Sequence, residues 1–349
     1  MRWLTRSAAL LACTALAVTP VPAVAAPADA SWQLTPTNTD ARFRGLSAVS
    51  GRVAWAGGSG GVVLRTVNGG REWQRVDPPG AAELQFRDVH AFDERRAVVL
   101  SIGEGAASRV YRTSDGGRTW QVAFQNPDPE AFYDCLTFFD SRNGIALSDP
   151  VGGKFRILST SDGGQSWKVL SDKGMPPALD KEAGFAASGQ CLVSSGGRDA
   201  WFATGGGARS RVFHSADRGN TWRVSESPLA ASESAGTFGV AFVGRRHGIA
   251  VGGDFANVAG PSTVALTGDG GRTWRAGAQQ LGGYRSGVAV PPTRPWTAIA
   301  VGPTGSDVSR DGGRSWTRFD DGSFDTVDCA WDGACWASGE RGRIAKLGR

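Results

Sequence analysis

Thr113-Ser114-Asp115-Gly116-Gly117-Arg118-Thr119-Trp120 is a phrase that the chain says again and again. It returns as Thr160–Trp167 (TSDGGQSW), Ser215–Trp222 (SADRGNTW), Thr267–Trp274 (TGDGGRTW) and Ser309–Trp316 (SRDGGRSW). A weaker copy, Thr66–Trp73 (TVNGGREW), carries Asn68 where the others carry Asp. The closing residues Trp73, Trp120, Trp167, Trp222, Trp274 and Trp316 step by 42 to 55 positions, about one supersecondary unit each. Such a period marks a repeat architecture. A hydroxyl, a carboxylate and one or two glycines in this order make a tight turn, with Gly taking the positive φ that other residues resist. Asp115, Asp162, Asp217, Asp269 and Asp311 are therefore read as acceptors for N–H groups of their own loops, not as acid/base groups or calcium ligands.

Between the phrases lie short runs of alternating apolar and polar residues punctuated by turn residues, the pattern of half-buried antiparallel strands. The first unit reads Phe43 to Val49, Val53 to Gly57, Gly61 to Thr66 and Trp73 to Val76, and five more units follow the same scheme. A seventh begins at Phe324 and stops at Leu347 without its fourth strand, while Ser31-Trp32-Gln33-Leu34 stands alone at the other end. Pairing the two fragments closes a ring and removes exposed edges. The expectation is an all-β, seven-bladed β-propeller of four-stranded antiparallel blades over residues 31–349. The phrase resembles the Asp box, or bacterial neuraminidase repeat, S/T-x-D-x-G-x-T/S-W. That resemblance implies a structural hairpin on propeller blades.

Composition adds bounds. The 349 residues include 50 Gly and 13 Trp, are 20% charged, and sum to a net charge of +5 without Lys/Arg runs, which gives a nucleic-acid role little support. Arg2 and Arg6, the apolar Ala8 to Val18 and the small-x-small Ala23-Val24-Ala25 read as a signal peptide over residues 1–25, hence an exported chain. Leu10-Leu11-Ala12-Cys13 loosely resembles a lipoprotein box, with plain secretion favoured over lipidation at Cys13. No later stretch is apolar enough to cross a bilayer. Of the remaining cysteines, Cys329 and Cys335 flank the turn Trp331-Asp332-Gly333 and are expected to form a hairpin disulfide. Cys135 and Cys191 occupy similar settings in successive units, either as a bridge or as two buried thiols.

Topology directs the search for function. In a four-stranded meander the loops after strands 1 and 3 emerge on one face, so the boxes share that face. A ligand site at the channel is expected on the other, where the innermost strands begin. There Phe43-Arg44-Gly45, Phe86-Arg87-Asp88, Phe132-Tyr133-Asp134, Phe185-Ala186-Ala187, Thr237-Phe238-Gly239, Tyr284-Arg285-Ser286 and Phe324-Asp325-Thr326 read as equivalent openings. Arg44, Arg87 and Arg285, with Tyr133, are the candidate partner-binding residues, the arginines as an anion-binding cluster. The alternative is that they pair with Asp88, Asp134 and Asp325 to satisfy a polar pore.

The chemistry is mostly excluded. A sialidase needs an Arg-Ile-Pro motif, an Arg triad and a Tyr nucleophile; here Phe155-Arg156-Ile157 continues into Leu158, and Tyr is scarce. His90, His214 and His247 lack zinc spacing, and no nucleophile elbow, phosphate loop or dinucleotide fingerprint occurs, so neither a metal nor a cofactor is expected. A glycoside hydrolase using two of Asp134, Asp149 and Asp254 is the alternative enzyme. Over residues 31–349 the chain is similar to the photosystem II stability/assembly factor-like propellers, with their Asp-box hairpins and Phe-Arg-Gly/Asp openings. That likeness implies a non-catalytic assembly or binding scaffold, monomeric, engaging a protein or an anionic or carbohydrate ligand at the channel mouth through an arginine patch.

Overall fold

The computed structural model describes residues 30–348, so the signal-peptide reading and Cys13 lie outside the described residues. Seven four-stranded antiparallel sheets form in sequence order around an axis, each a blade. Their innermost strands are Phe43–Ala48, Gln85–Ala91, Tyr133–Phe138, Leu192–Ser195, Ala235–Val243, Gly287–Ala289 and Thr326–Cys329. Blade seven takes its outer strand from the N-terminus: Trp32–Thr35 pairs with Ile344–Leu347 in register Trp32↔Leu347 through Thr35↔Ile344, which closes the ring. Among the described residues no helix is long and apolar enough to cross a membrane.

The repeated phrase folds as its composition requires. In the second blade Thr113 donates its hydroxyl to Asp115 Oδ1 at 2.9 Å and accepts the Gly117 N–H at 2.9 Å. Asp115 in turn accepts the Thr119 N–H at 3.0 Å and the Thr119 hydroxyl at 2.7 Å. These bonds, the Thr119 N–H foremost, hold the carboxyl down at about 2. The same contacts recur at Asp162, Asp217, Asp269 and Asp311. Asn68 keeps the Glu72 N–H bond at 3.1 Å. In blades four and six the closing Trp tucks under its own turn, Trp222 donating to Gly219 O and Trp316 to Gly313 O, each at 3.0 Å, whereas Trp73 donates to the Thr35 hydroxyl at 3.0 Å and Trp120 to Val76 O at 2.8 Å.

The core lies in the wedges between blades. Trp55, Trp201 and Trp336, at one register position of the second strand, are wholly buried. Each reaches the following blade, donating to Asp93 O, Gly270 O and Ser50 O at 3.0–3.1 Å. Nearer the axis, buried carboxylates latch neighbouring blades: Leu136 N–H donates to Asp88 at 2.7 Å and Ala48 N–H to Asp328 at 2.8 Å.

Two disulfides are present, Cys329–Cys335 and Cys135–Cys191, the pattern of an oxidising compartment. The first staples a hairpin. The second joins blade three to blade four and settles an alternative that the sequence left open.

Candidate functional site at the channel mouth

On the face opposite the boxes the channel opens into a cup of about 730 Å³. Its floor is the stretch from Ala183 to Cys191, which corrects the strand placement at Phe185. The innermost strand of blade four begins only at Leu192. The residues before it cross the channel. Ser188 donates its hydroxyl to Ser286 O of blade six at 2.7 Å, Gln190 accepts the Thr326 hydroxyl of blade seven at 2.9 Å, and Cys191 is bonded to blade three. The mouth is thus a closed-bottomed cup rather than an open pore.

The basic side belongs to blades one and two. Arg42 grips Asp325 with two bonds, at 2.7 and 2.6 Å. Arg44 lies 3.7 Å from the same carboxylate, and its buried Nε has no hydrogen-bond partner among the described residues. Arg87 donates to Ala186 O at 2.9 Å and to Gln85 at 3.1 Å, with no carboxylate at ion-pair distance among the described residues. Burial, and then the charges of Arg44 and Arg42, lower its pKa to about 10. Glu340 also lines the cup, so three guanidinium groups face two carboxylates, Asp325 and Glu340, on this side. Arg42 was missed in the sequence because it precedes the aligned opening.

Arg285 does not join them. Counting from the second strands, Gly45 pairs with Gly57 and Gly287 with Val301, which are equivalent positions. Ser286, not Arg285, therefore occupies the position of Arg44. A one-residue slip sends a side chain to the opposite face of a strand. Arg285 is wholly buried, with Nε 2.7 Å from Asp307 Oδ2 and Nη1 2.7 Å from the Thr304 hydroxyl. Tyr133 likewise holds the wall position of Phe43; it packs edge-on against Phe124 at 5.6 Å, and burial raises its hydroxyl to about 12.

Blade three brings Asp134 and Asp149 together. Asp149 accepts the Gly184 N–H at 2.7 Å, and a Cβ on Gly184 would stand 3.1 Å from Asp134 Oδ2. The two carboxyls therefore meet beside one floor glycine. Burial pushes Asp149 up to about 7; burial and Asp149 together hold Asp134 well above the usual range, and Asp134 Oδ2 has no hydrogen-bond partner among the described residues. Asp254 is elsewhere, capping its loop through the Ala256 N–H at 2.8 Å, outside the cup lining. An aromatic wall faces them: Phe185 stacks on Phe238 at 4.3 Å, Tyr284 meets Phe238 at 4.7 Å, and half-exposed Phe255 closes the edge. Among the described residues no cluster of three or more His, Cys, Asp or Glu could hold a metal.

The pair has a consequence for stability. Folded protein keeps a proton on Asp149 up to about pH 7, whereas an unfolded Asp releases it near about pH 3.9. Between those limits the folded state binds more protons, so this group's contribution falls as pH rises from about 4 to 7 and levels off above. Asp149→Asn keeps an oxygen for Gly184 and removes the titration. Melting between pH 5 and pH 8 should show a shallower decline in the variant, which is the more stable of the two at pH 8. Parallel declines would overturn this account.

No family model matches the chain, and no curated protein matches it. Solved structures do. YCF48 bound to D1 peptide aligns with a TM-score of 0.63 at 14% identity, covering 93% of this chain and 100% of that one. YCF48 from Cyanidioschyzon merolae gives 0.62 at 16% identity, over 90% and 98%. The chain shares their fold. The GH74 xyloglucanase from Xanthomonas campestris also aligns, with a TM-score of 0.61 at 14% identity, but over 90% of this chain and only 53% of its own. The resemblance to the photosystem II assembly-factor propellers thus holds in architecture. At such identities the propeller's site rests on its own geometry.

Proposed function

We propose that this propeller is an exported, non-catalytic binding scaffold whose channel mouth captures an acidic, partly apolar segment of another protein. One observation carries the reading: Arg42, Arg44 and Arg87 converge on the cup beside an aromatic wall, with Arg87 lacking an acidic partner among the described residues and Arg44 Nε held no closer than 3.7 Å to Asp325. Guanidinium groups so placed suit carboxylates, and the wall suits an apolar or aromatic side chain. The YCF48 structure with a bound D1 peptide gives a protein ligand on the same fold. Export rests on the signal-like N-terminus and agrees with the disulfides. Peptides selected from a random displayed library on the wild-type protein should be enriched in Asp and Glu. They should bind Arg44→Ala/Arg87→Ala at least tenfold more weakly, about 1.4 kcal/mol, with the melting temperature nearly unchanged. Neutral or basic selected sequences, or affinity indifferent to the two arginines, would sink the reading.

A hydrolytic reading has one observation in its favour, the raised pKa of Asp149, which suits a general acid. Against it, Asp134 and Asp149 meet at Gly184 on one wall instead of facing each other across a cleft. Screening soluble polysaccharides with the wild type and with Asp134→Asn/Asp149→Asn is expected to show no release of reducing ends by either. Activity lost in the double variant would establish the enzyme.

A further inference from the structure

A cavity larger than the mouth lies elsewhere. It is a slot of about 780 Å³ on the box face, between blades five and six. It crosses the ends of all four strands of blade five, three strand spacings, or about 14 Å. The reason for it is a missing side chain. At the register position where blades one, four and seven insert Trp55, Trp201 and Trp336, blade five has Ile249. Blades two, three and six are also aliphatic there, but the clusters that hold Val98, Ile145 and Ile299 include phenylalanines: Phe92 and Phe138 with Val98, Phe139 with Ile145, and Phe319 and Phe324 with Ile299. The cluster around Ile249 contains no phenylalanine.

What lines the slot is amphipathic. Ala241, Ile249, Leu266 and Val290 supply an apolar floor. Trp296 forms a wall with 55% of its surface exposed, its ring 6.0 Å from that of His247. Gly312 leaves one face of that indole clear, since a Cβ there would come within 3.0 Å of the ring. At the rim stand Arg275 and Arg314, both exposed and neither ion-paired among the described residues; Arg314 donates to Asp311 O at 3.2 Å. The one rim carboxylate, Asp269, is occupied by Thr267 and Thr273 within its own turn.

We propose that this slot is a binding site for an apolar organic anion. A hydrocarbon or aromatic body lies along the floor against Trp296, and its carboxylate or sulfonate reaches Arg275 and Arg314. The slot takes such bodies because apolar pockets with a few fixed polar groups bind by burial and orient by charge. Nothing in it depends on the channel mouth.

Fluorescence titration with 8-anilinonaphthalene-1-sulfonate, followed by displacement with dodecanoate, tests it on the full chain. One saturable site is expected, displaced by dodecanoate and at least tenfold less well by dodecanol. Arg275→Gln/Arg314→Gln should weaken binding tenfold or more. Ile249→Trp should abolish it by filling the slot as the tryptophans of blades one, four and seven fill theirs, the new indole reaching Gly312 O as Trp201 reaches Gly270 O. Arg44→Ala/Arg87→Ala should leave it unchanged. Absence of saturable binding to the wild type, undiminished binding to Ile249→Trp, or equal displacement by dodecanol would overturn the assignment. Should Ile249→Trp fail to fold, the arginine pair and Trp296→Ala decide alone, unchanged affinity in both counting against it.

Discussion

Replacing Arg285 by Met is expected to lower the melting temperature by on the order of 5–10 °C, while peptide capture at the mouth survives in the protein that remains folded. The side chain is wholly buried in blade six, its guanidinium ion-paired with Asp307 and bonded to Thr304 and the Tyr284 carbonyl. Met approximates its stem but leaves Asp307 buried without its cation. Breaking such a pair from one side costs about 3–5 kcal/mol, because the orphaned charge keeps its desolvation penalty. Removing both members is far milder, so Arg285→Met/Asp307→Leu should recover most of the lost stability. Thermal melts of the two variants check the point. A stable single variant that no longer captures peptide would return Arg285 to the mouth and overturn its placement in the wall.

The case of Arg285 also shows what a sequence of this kind can and cannot disclose. The boxes announced the fold because each is a self-contained turn whose hydroxyl, Asp and Gly satisfy one another within a few residues. Their spacing, with the two box-less fragments at the ends, led to the blade count and the ring closure through Trp32 and Leu347, and the meander topology led to the face on which the mouth opens. The mouth residues depend instead on registers between strands far apart in sequence. Arg44 and Arg87 were found because in their blades a Phe wall residue stands directly before the channel position, whereas aligning blade three on Phe132 put Tyr133 in the place that Asp134 holds. In blade six the wall residue is Arg285 itself and Tyr284 lies one step further out, so aligning on the aromatic shifts the pattern by one. The floor was hidden for another reason. Phe185-Ala186-Ala187 looks like the other openings locally, and only its bond across the channel to Ser286 through Ser188 reveals a crossing segment. A signal was available at Cys191, directly before Leu192 as Cys135 is before Leu136, for a reader who aligned the cysteines first.

That crossing segment leads to the second large effect. Cys135→Ala/Cys191→Ala is expected to cost about 4 kcal/mol, against about 2 kcal/mol for Cys329→Ala/Cys335→Ala, since the loop-entropy gain grows with the length of chain enclosed. The first bridge spans 56 residues and the second only 6. The difference has a functional side, because the longer bridge anchors the end of the cup floor. Upstream of it, Gly184 bonds Asp149 and the Ala186 carbonyl receives Arg87, so both charged sides of the mouth lean on backbone that the bridge fixes. Without the bridge, the amides of residues 183–191 should exchange faster with solvent, and peptide capture should weaken through loss of ordering at Arg87. The hairpin variant should change neither. Hydrogen exchange on the two double variants, read with their melting temperatures, separates the roles. Equal stability losses, or an unchanged floor in Cys135→Ala/Cys191→Ala, would show that the packing of Ser188 and Gln190 holds the segment without covalent help.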